Sequence, residues 1–223
     1  MTPRSLASFI IVAFALHGSD AATQQRTPDL AKLAPGRGLQ VLVSNRNVSP
    51  ITDGARAGLQ LSAGPGEGPA YLDGVALANG TIEVDLRGKD LQEQSFLGIA
   101  FHGVDSTTYD AIYFRPFNFR APDSTRHAHA VQYISQPTNT WQKLRTEQPG
   151  VFEKAVNPAP DPNGWFHARI VVAGPQVSVF LDGATNPSLV VTRLSDRGHG
   201  RVGLWVGNGS GGDFANLVIK PAP

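Results

Sequence analysis

The chain of 223 residues contains no cysteine. This absence excludes disulfide-rich scaffolds, thiolate metal sites, cysteine nucleophiles and a lipidated cysteine behind a leader. Charge is also scarce, since charged residues make up 17% of the chain and 19 Lys and Arg stand against 18 Asp and Glu. Such a balance argues against a strongly basic nucleic-acid binder and against an acidic disordered tail. The apolar content of 41% is enough for a sizeable core, so we expect a folded domain.

The N-terminus has the pattern of a secretory signal peptide. Arg4 supplies a positive charge, and residues 6–16 form an apolar run. That run is too short for a membrane-spanning helix, which needs about 20 residues. Small residues at Ser19 and Ala21 predict cleavage after Ala21. We therefore expect a signal peptide at residues 1–21. No later segment is apolar enough to span a membrane, so the mature protein is expected to be secreted or periplasmic.

Helix signals are few in the rest of the chain, and apolar and polar residues alternate with period two from end to end. The segment 82–86 is one example, and Asp182-Gly183 is a strong hairpin signal. One short helix is expected at residues 140–148. Because no βα crossovers are present, successive strands cannot form a parallel sheet. The pattern predicts one all-β domain at residues 22–223, an antiparallel β-sandwich of jelly-roll type with little helix and a core at about 39–220.

The same alternation predicts a ligand-binding face on neighbouring strands. If Ile99, Ile112 and Val131 lie in the core, the opposite face carries alanines between aromatic and long polar side chains. Trp205 stands between two glycines, which predicts an accessible ring. Such a face suits a sugar, because its hydroxyls need planar polar partners and its ring needs a partly apolar site. Simple packing of the aromatic rings is the alternative. The predicted ligand-binding residues are His102, Tyr113, Arg115, Asn118, Gln132 and Trp205.

Catalytic candidates are weaker. Glu83 and Asp85 share a strand face at a separation of about 6–7 Å, near the spacing of paired carboxylates in glycosidases, but a solvated strand face is the alternative. His129, two residues after His127, offers an imidazole for acid–base or metal chemistry without a third ligand nearby in sequence. The glycine-rich segment 207–212 precedes a strand, which argues against phosphate binding. Its backbone oxygens suit a structural Ca²⁺, and we expect no cofactor to be required otherwise.

Two pairs of segments resemble strands of a known group of folds. Residues 165–172 (WFHARIVV) with 177–183 (VSVFLDG), and residues 200–207 (GRVGLWVG) with 213–219 (DFANLVI), resemble strands of concanavalin A-like jelly rolls. Laminin-G-like domains and 3-keto-disaccharide hydrolase domains belong to the same group. The resemblance implies the fold and not the activity, since lectins, carbohydrate-binding modules, glycosidases and adhesion modules share it. The carboxylate trio of the family-16 glycoside hydrolases is incomplete after Asp85.

Three functions follow as hypotheses. The preferred one is an exported jelly-roll protein that binds a glycan or glycoside on its concave sheet face, with no nucleic-acid partner. The second is a glycoside hydrolase of the 3-keto-disaccharide hydrolase type, in which carboxylates or histidines of the same face act, with or without a divalent cation. The third is a structural or adhesion module of the laminin-G-like type.

Overall fold

The computed structural model describes residues 24–42 and 46–223. The predicted signal peptide at residues 1–21 lies outside the described residues. The strands are β1 (Ala34–Pro35), β2 (Gly38–Val41), β3 (Val48–Asp53), β4 (Arg56–Leu61), β5 (Gly68–Leu77), β6 (Gly80–Arg87), β7 (Leu97–Gly103), β8 (Tyr109–Phe114), β9 (Val131–Gln136), β10 (Glu153–Lys154), β11 (Phe166–Ala173), β12 (Gln176–Leu181), β13 (Leu189–Thr192), β14 (Gly200–Val206) and β15 (Gly212–Pro221). Two short α-helices, α1 (Ser124–His127) and α2 (Trp141–Glu147), and two 3₁₀ turns, Leu30–Lys32 and Pro116–Asn118, complete the described elements.

The strands form two sheets. The eight-stranded sheet has the order β1-β2-β5-β14-β7-β8-β9-β10, and the seven-stranded sheet has the order β13-β12-β11-β6-β15-β4-β3. The strand pairs are antiparallel, apart from the short parallel pair of β1 and β2. Non-consecutive strands are neighbours in both sheets, as in a jelly roll. The predicted antiparallel sandwich is confirmed.

The core lies between the two sheets. On the seven-stranded sheet the alternation is regular, since Ile82 and Val84 of β6 are buried while Glu83 between them is partly exposed. The ring of Phe166 packs edge-on against Phe114 at 5.2 Å between centroids and against Phe119 at 5.0 Å. These contacts hold the inner faces together, because large aromatic side chains supply much of the buried apolar area.

The central strands of the eight-stranded sheet are buried on both faces. Each residue of β7 and β8 is buried, including Tyr113 on the face away from the core. The outer face is covered by loops and by α2, which begins after Thr140 as expected. The Thr140 hydroxyl accepts a hydrogen bond from the Lys143 backbone N–H at 3.3 Å and caps the helix. The outer face of these two strands is therefore packed like a protein core and is not an open groove.

A β-bulge changes which face one predicted site residue occupies. Opposite β14, the pairing shifts between Arg201 and Gly203, where β7 has an extra residue. His102 in this region has a left-handed backbone with φ of 49°. A bulge breaks the strict alternation of faces. The alternation assumed for His102 is therefore not kept, and its side chain lies between the sheets.

None of the helices among residues 24–42 and 46–223 is long and apolar enough to cross a bilayer.

Candidate functional site

A cleft of about 550 Å³ opens on the outer face of the eight-stranded sheet. It lies between the sheet, helix α2 and the segment from β8 to α1. Its lining residues are Gln92, Glu93, Phe96, Tyr113, Arg115, Phe117, Asn118, Arg126, His129, Trp141, Gln142, Arg145, Trp205 and Asn208. The volume falls within the roughly 300–1,000 Å³ of small-molecule sites. We call this space the cleft.

Two stacked rings form the floor of the cleft. Gly98 pairs with Tyr113 on one side and with Trp205 on the other. Because Gly98 has no side chain, the two rings come together across it, with their centroids 4.8 Å apart. The Trp205 indole N–H donates to the Tyr109 hydroxyl at 3.1 Å. Both floor rings are 2% exposed, so the expectation of an accessible Trp205 ring was wrong.

Arg115 is fixed beneath the cleft by neutral acceptors. Its Nη2 donates to the Tyr113 hydroxyl and to Oε1 of Gln132, and its Nη1 donates to the His129 carbonyl at 2.9 Å. The Tyr113 hydroxyl also donates to Gln132 Oε1 at 2.8 Å. Tyr113 and Gln132 therefore lie on the same side of the sheet, as the alternation predicted. Burial raises the pKa of Tyr113 to about 12 and lowers the pKa of Arg115.

Helix α2 supplies one wall of the cleft. Trp141 and Arg145 are four residues apart and so share a helix face. The Arg145 guanidinium lies 5.0 Å from the centroid of the Trp141 ring, and it donates to both oxygens of Glu153 at 2.8 and 2.6 Å. Glu153 is buried on β10. The fork of two bonds fixes the guanidinium in one orientation at the cleft.

His129 lies at the cleft beside the same carboxylate. Its Nε2 is 3.4 Å from Oε1 of Glu153. Burial lowers the pKa of His129, the Glu153 charge opposes this, and the Arg145 and Arg115 charges add to the lowering. The pKa therefore lies below its ordinary value of 6.5, which favours the neutral imidazole at pH 7.

The opposite wall consists of the segment after β8. The Asn118 amide donates to the His129 carbonyl at 3.3 Å, and its Oδ1 accepts from Arg126 Nε at 3.4 Å. Arg126 Nη2 donates to the Phe117 carbonyl at 3.1 Å. The Phe117 ring packs edge-on against Phe96 at 5.4 Å. The segment is thus held in place by its own polar and aromatic contacts.

Most of the predicted ligand-binding residues meet at this site. Tyr113, Arg115, Asn118 and Trp205 line the cleft, and Gln132 lies directly behind two of them. Of the catalytic candidates, His129 also lines it.

The prediction that His102 belongs to the ligand face was wrong. Its ring is 0% exposed and lies between the sheets, where Nε2 bonds the Ala78 carbonyl at 2.8 Å and Nδ1 bonds Arg193 at 2.9 Å. Its Nδ1 is also 3.4 Å from Asp110. The bulge in β7 turned the side chain inwards, and a buried imidazole with these partners is a structural group.

Glu83 and Asp85 lie on the other sheet. They project from β6 of the seven-stranded sheet, so the expectation that they could act on the same face as the floor rings was wrong. Asp85 accepts from Arg56 at 3.0 Å and from Asn216 at 2.8 Å, and it pairs with His167 at 2.8 Å. Burial opposes ionisation, but these hydrogen bonds outweigh it and lower the pKa of Asp85 to about 2. The carboxylate is a member of an ion-pair network with Arg56 and His167.

Several cleft residues were missed by the sequence reasoning, above all Trp141, Arg145 and Arg126. The helix at residues 140–148 was expected, but not its role as a wall. A signal was present, since α2 buries only Leu144 fully and places a tryptophan and an arginine together on one face. No comparable signal marked Phe96 or Glu93, which come from the loop before β7.

The described residues contain no group of side chains that would form a metal site. Within residues 24–42 and 46–223, no cluster of three His, Cys, Asp or Glu could hold a metal ion. His127 and His129 therefore lack a third ligand in the described part of the chain. A Ca²⁺ held by backbone oxygens near 207–212 stays a prediction.

Comparisons with known proteins show the fold. No family model and no curated protein matches the chain. A glycosidic hydrolase structure is 12% identical with a TM-score of 0.55, covering 89% of this chain and 95% of that one. Carbohydrate-binding module CBM66 from Bacillus subtilis is 16% identical with a TM-score of 0.52, covering 78% and 95%. A putative glycosyl hydrolase from Parabacteroides distasonis is 12% identical with a TM-score of 0.51, covering 83% and 89%. The resemblance to concanavalin A-like jelly rolls is thereby confirmed for the fold of this chain.

Proposed function

We propose that the protein binds a carbohydrate in the cleft on the outer face of its eight-stranded sheet. The observation that carries the proposal is that aromatic rings and fixed polar groups line one space, with Trp141 on one side, Asn118 on the other and Arg115 beneath. The fold similarity to a carbohydrate-binding module and to glycosidic hydrolases supports the proposal without determining it.

The chemistry of the walls suits a sugar ring. Trp141, Phe96 and Phe117 present apolar ring surface on which the C–H face of a pyranose can pack. Gln142 and Asn208 are exposed amides at the rim, and each can both donate to and accept from a hydroxyl. A partly apolar concave site with a few converging polar groups is the usual form of a small-molecule site.

The polar groups of the cleft are fixed before a ligand enters. Arg145 is held by the two hydrogen bonds that it donates to Glu153, and Asn118 is held between His129 and Arg126. Immobilising free side chains on binding costs roughly 0.5–1.5 kcal/mol each, so groups that are already ordered favour affinity. This order of the polar groups supports the proposal that the cleft binds a ligand.

The test compares two tryptophans. Binding to a glycan array and then to the selected glycans in solution should be lost in Trp141→Ala, while the melting temperature stays close to that of the natural protein, because Trp141 is only partly buried. Trp165→Ala is the matched control, since Trp165 is also partly buried but contacts Asp53 and Arg87 on the seven-stranded sheet. Equal binding by both variants would contradict the proposal, and no binding by the natural protein would favour the structural or adhesion module.

One observation favours a glycoside-cleaving enzyme as the second candidate. Neutral His129 faces the cleft 3.4 Å from Glu153, and a neutral imidazole can accept a proton from an attacking water. Incubation with oligosaccharides and 3-keto glycosides should then release product, and His129→Gln should abolish release while glycan binding persists. Binding without turnover by the natural protein would exclude this candidate for the substrates tried.

Export is part of the proposal. The leader pattern at residues 1–21 supports it, and cleavage after Ala21 should give a mature chain that begins at Ala22. Mass spectrometry of the protein from the periplasm or medium of an expressing bacterium measures that end. An intact N-terminus in the cytoplasmic fraction would contradict export.

A further inference from the structure

The charged groups around the cleft are unequal in sign. Three arginines line it, at positions 115, 126 and 145, against one lining carboxylate, that of Glu93. Glu93 is exposed, so water screens its charge. Glu153 lies behind the wall with 2% of its surface exposed. The chain as a whole has a formal net charge of only +1, so the excess of positive charge is a local property of the cleft.

Arg115 is a buried cation whose hydrogen bonds go to neutral groups. Its side chain is 5% exposed, and its acceptors are a hydroxyl, an amide oxygen and a backbone carbonyl. The nearest carboxylate oxygen, on Glu153, is 3.7 Å away, beyond a normal hydrogen bond. A guanidinium stays protonated in proteins, and a buried charge without a close partner is costly. An anion in the cleft would offset that cost.

Arg126 is in a similar position at the rim. Its described bonds go to the Asn118 amide oxygen and the Phe117 carbonyl, and among the described residues no carboxylate oxygen lies within 4.0 Å of its guanidinium. Asp123, at the start of the same short helix, instead accepts from the Arg126 backbone N–H at 2.7 Å. The side chain of Arg126 is thus oriented by neutral groups while its charge stays unneutralised.

Glu153 does not supply the missing negative charge. Both of its oxygens accept from Arg145, at 2.8 and 2.6 Å. One buried carboxylate is therefore shared by Arg145 and, at longer range, Arg115. The cleft keeps at least one full positive charge that is not matched within hydrogen-bond distance.

From these contacts we infer that the ligand of the cleft is an acidic saccharide, one that carries a carboxylate on a sugar ring. The inference rests on the proposed function and names its ligand class. A planar guanidinium can donate two parallel hydrogen bonds to a carboxylate, and such charge-assisted bonds are roughly twice as strong as neutral ones. The aromatic walls would hold the sugar ring, and Arg126 with Arg115 would select the acidic group.

The polar network on the seven-stranded sheet shows what a matched cluster looks like. There Arg87 bonds Asp53 at 2.6 Å and Asp213 at 2.9 Å, and Arg56 bonds Asp85 at 3.0 Å. Each arginine has a carboxylate partner, so an added anion would meet charges that are already neutralised. Arg115 and Arg126 of the cleft have no carboxylate at hydrogen-bond distance, in contrast to Arg87 and Arg56.

The test uses oligosaccharides of galacturonate, glucuronate and mannuronate together with their methyl esters, which keep the ring and the linkage and remove the charge. Titration calorimetry at low salt should show the acid bound about tenfold or more tightly than the ester, which corresponds to one charge-assisted contact. The preference should shrink as ionic strength rises, because salt screens partly exposed charges. Sulfated oligosaccharides form a separate arm, since sulfate offers guanidinium a different acceptor geometry.

The variant Arg126→Gln should lose the preference for acid over ester while it still binds the methyl esters, which reports that the wall bonded by Arg126 is intact. Its melting temperature should fall only slightly, since Arg126 is partly exposed. Arg120→Gln is the matched control, because Arg120 is exposed, lies in the same segment and bonds only the Ala159 carbonyl among the described residues. It should keep the preference.

The outcomes separate this inference from the proposed function. Glycans bound in a Trp141-dependent way but without preference for acid would overturn the acidic ligand and leave carbohydrate binding intact. Equal losses in the Arg126 and Arg120 variants would mean general attraction of polyanions and would also overturn it, as would preference for sulfate over carboxylate. No binding of any glycan by the natural protein would overturn both proposals.

Discussion

The outer faces of the two sheets are covered by different kinds of side chain. When one face of a sheet packs against the core, the other face is either exposed to solvent or covered by further parts of the chain. On the seven-stranded sheet that face is covered by charged side chains that form ion pairs, such as Asp85 and His167 on adjacent strands. On the eight-stranded sheet the face carries aromatic rings and is covered by α2 and loops, so that Trp205 is 2% exposed.

The difference explains why the candidate site lies on the eight-stranded sheet. Charged pairs on the seven-stranded sheet neutralise one another, as Arg87 does with Asp53 and Asp213. On the eight-stranded sheet the cover is incomplete, and the cleft lies where α2 and the segment after β8 do not meet. Because the floor is made of rings and a buried cation, an occupant finds apolar surface and a charged donor together. Four predictions test this contrast.

The largest effect is expected from removing a floor ring. Trp205→Ala leaves a cavity beside Tyr113 and deprives the Tyr109 hydroxyl of a partner, which should cost about 3–5 kcal/mol of unfolding free energy. Trp165→Ala on the seven-stranded sheet removes a partly exposed ring stacked on Arg87 and should cost about 1 kcal/mol or less. Urea denaturation of the two variants measures both values. Similar losses would mean that the two outer faces are equally packed.

A smaller effect is expected at the glycine between the floor rings. A Cβ at Gly98 would collide with the Ile112 carbonyl oxygen and lie 2.6 Å from Tyr113 Cα. Since both are backbone atoms that cannot rotate away, Gly98→Ala should destabilise the protein by about 1–3 kcal/mol. Gly198→Ala is the control, because a Cβ there meets no atom within 4 Å. Thermal unfolding that ranks the two variants equally would show that β7 and β8 can move apart at no cost.

The sequence predicted the seven-stranded sheet better than the site. Period-two alternation correctly predicted the strands β6 and β11. One face of each strand packs in the core and the other is more exposed, and alternation of apolar and polar residues reflects such a difference. For β8, and for β7 as far as Phe101, the same pattern correctly separated the two faces. It could not show that the outer face is covered as well, because Ala111 and Tyr113 are compatible with either a groove or a packed layer.

The site itself was only half predictable. Tyr113, Arg115, Asn118 and Gln132 are close in sequence or cross-strand neighbours, so local pattern placed them together. Arg145 and Trp141 come from a helix whose docking depends on Leu144 and on the ion pair with Glu153, neither of which local propensity reveals. His102 failed for a different reason, since a bulge changes the alternation by one residue and leaves no strong mark in the sequence.

The ion-pair network of the seven-stranded sheet should be visible in the pH dependence of stability. The pKa of Asp85 is lowered to about 2 from its ordinary 3.8. The carboxylate therefore stabilises the fold above pH 3.8, and this contribution is lost as pH falls towards 2. We expect a loss of about 1–2 kcal/mol over that range, given the screening of the partly exposed partners.

The variant Asp85→Asn separates this contribution from general acid unfolding. It should be less stable than the natural protein at pH 6, and the gap between the two should close as pH falls from 4 to 2. Chemical denaturation at a series of pH values measures the gap. A gap that stays constant with pH would show that Asp85 acts by its shape and hydrogen bonds and not by its charge.

The smallest effect concerns the cover of the eight-stranded sheet. Thr140→Ala removes the cap whose hydroxyl accepts from the Lys143 N–H, and it should cost about 1 kcal/mol, confined to α2. Because α2 carries Trp141 and Arg145 to the cleft, the amides of this helix should exchange hydrogen faster and glycan affinity should fall severalfold. The comparison is Asp123→Ala, which removes the cap of α1. Of the residues of α1, only Arg126 lines the cleft. If the Thr140 variant exchanged faster in α2 without any loss of affinity, the wall formed by α2 would not be needed for binding, and the fixed part of the cleft would reduce to its floor and the segment after β8.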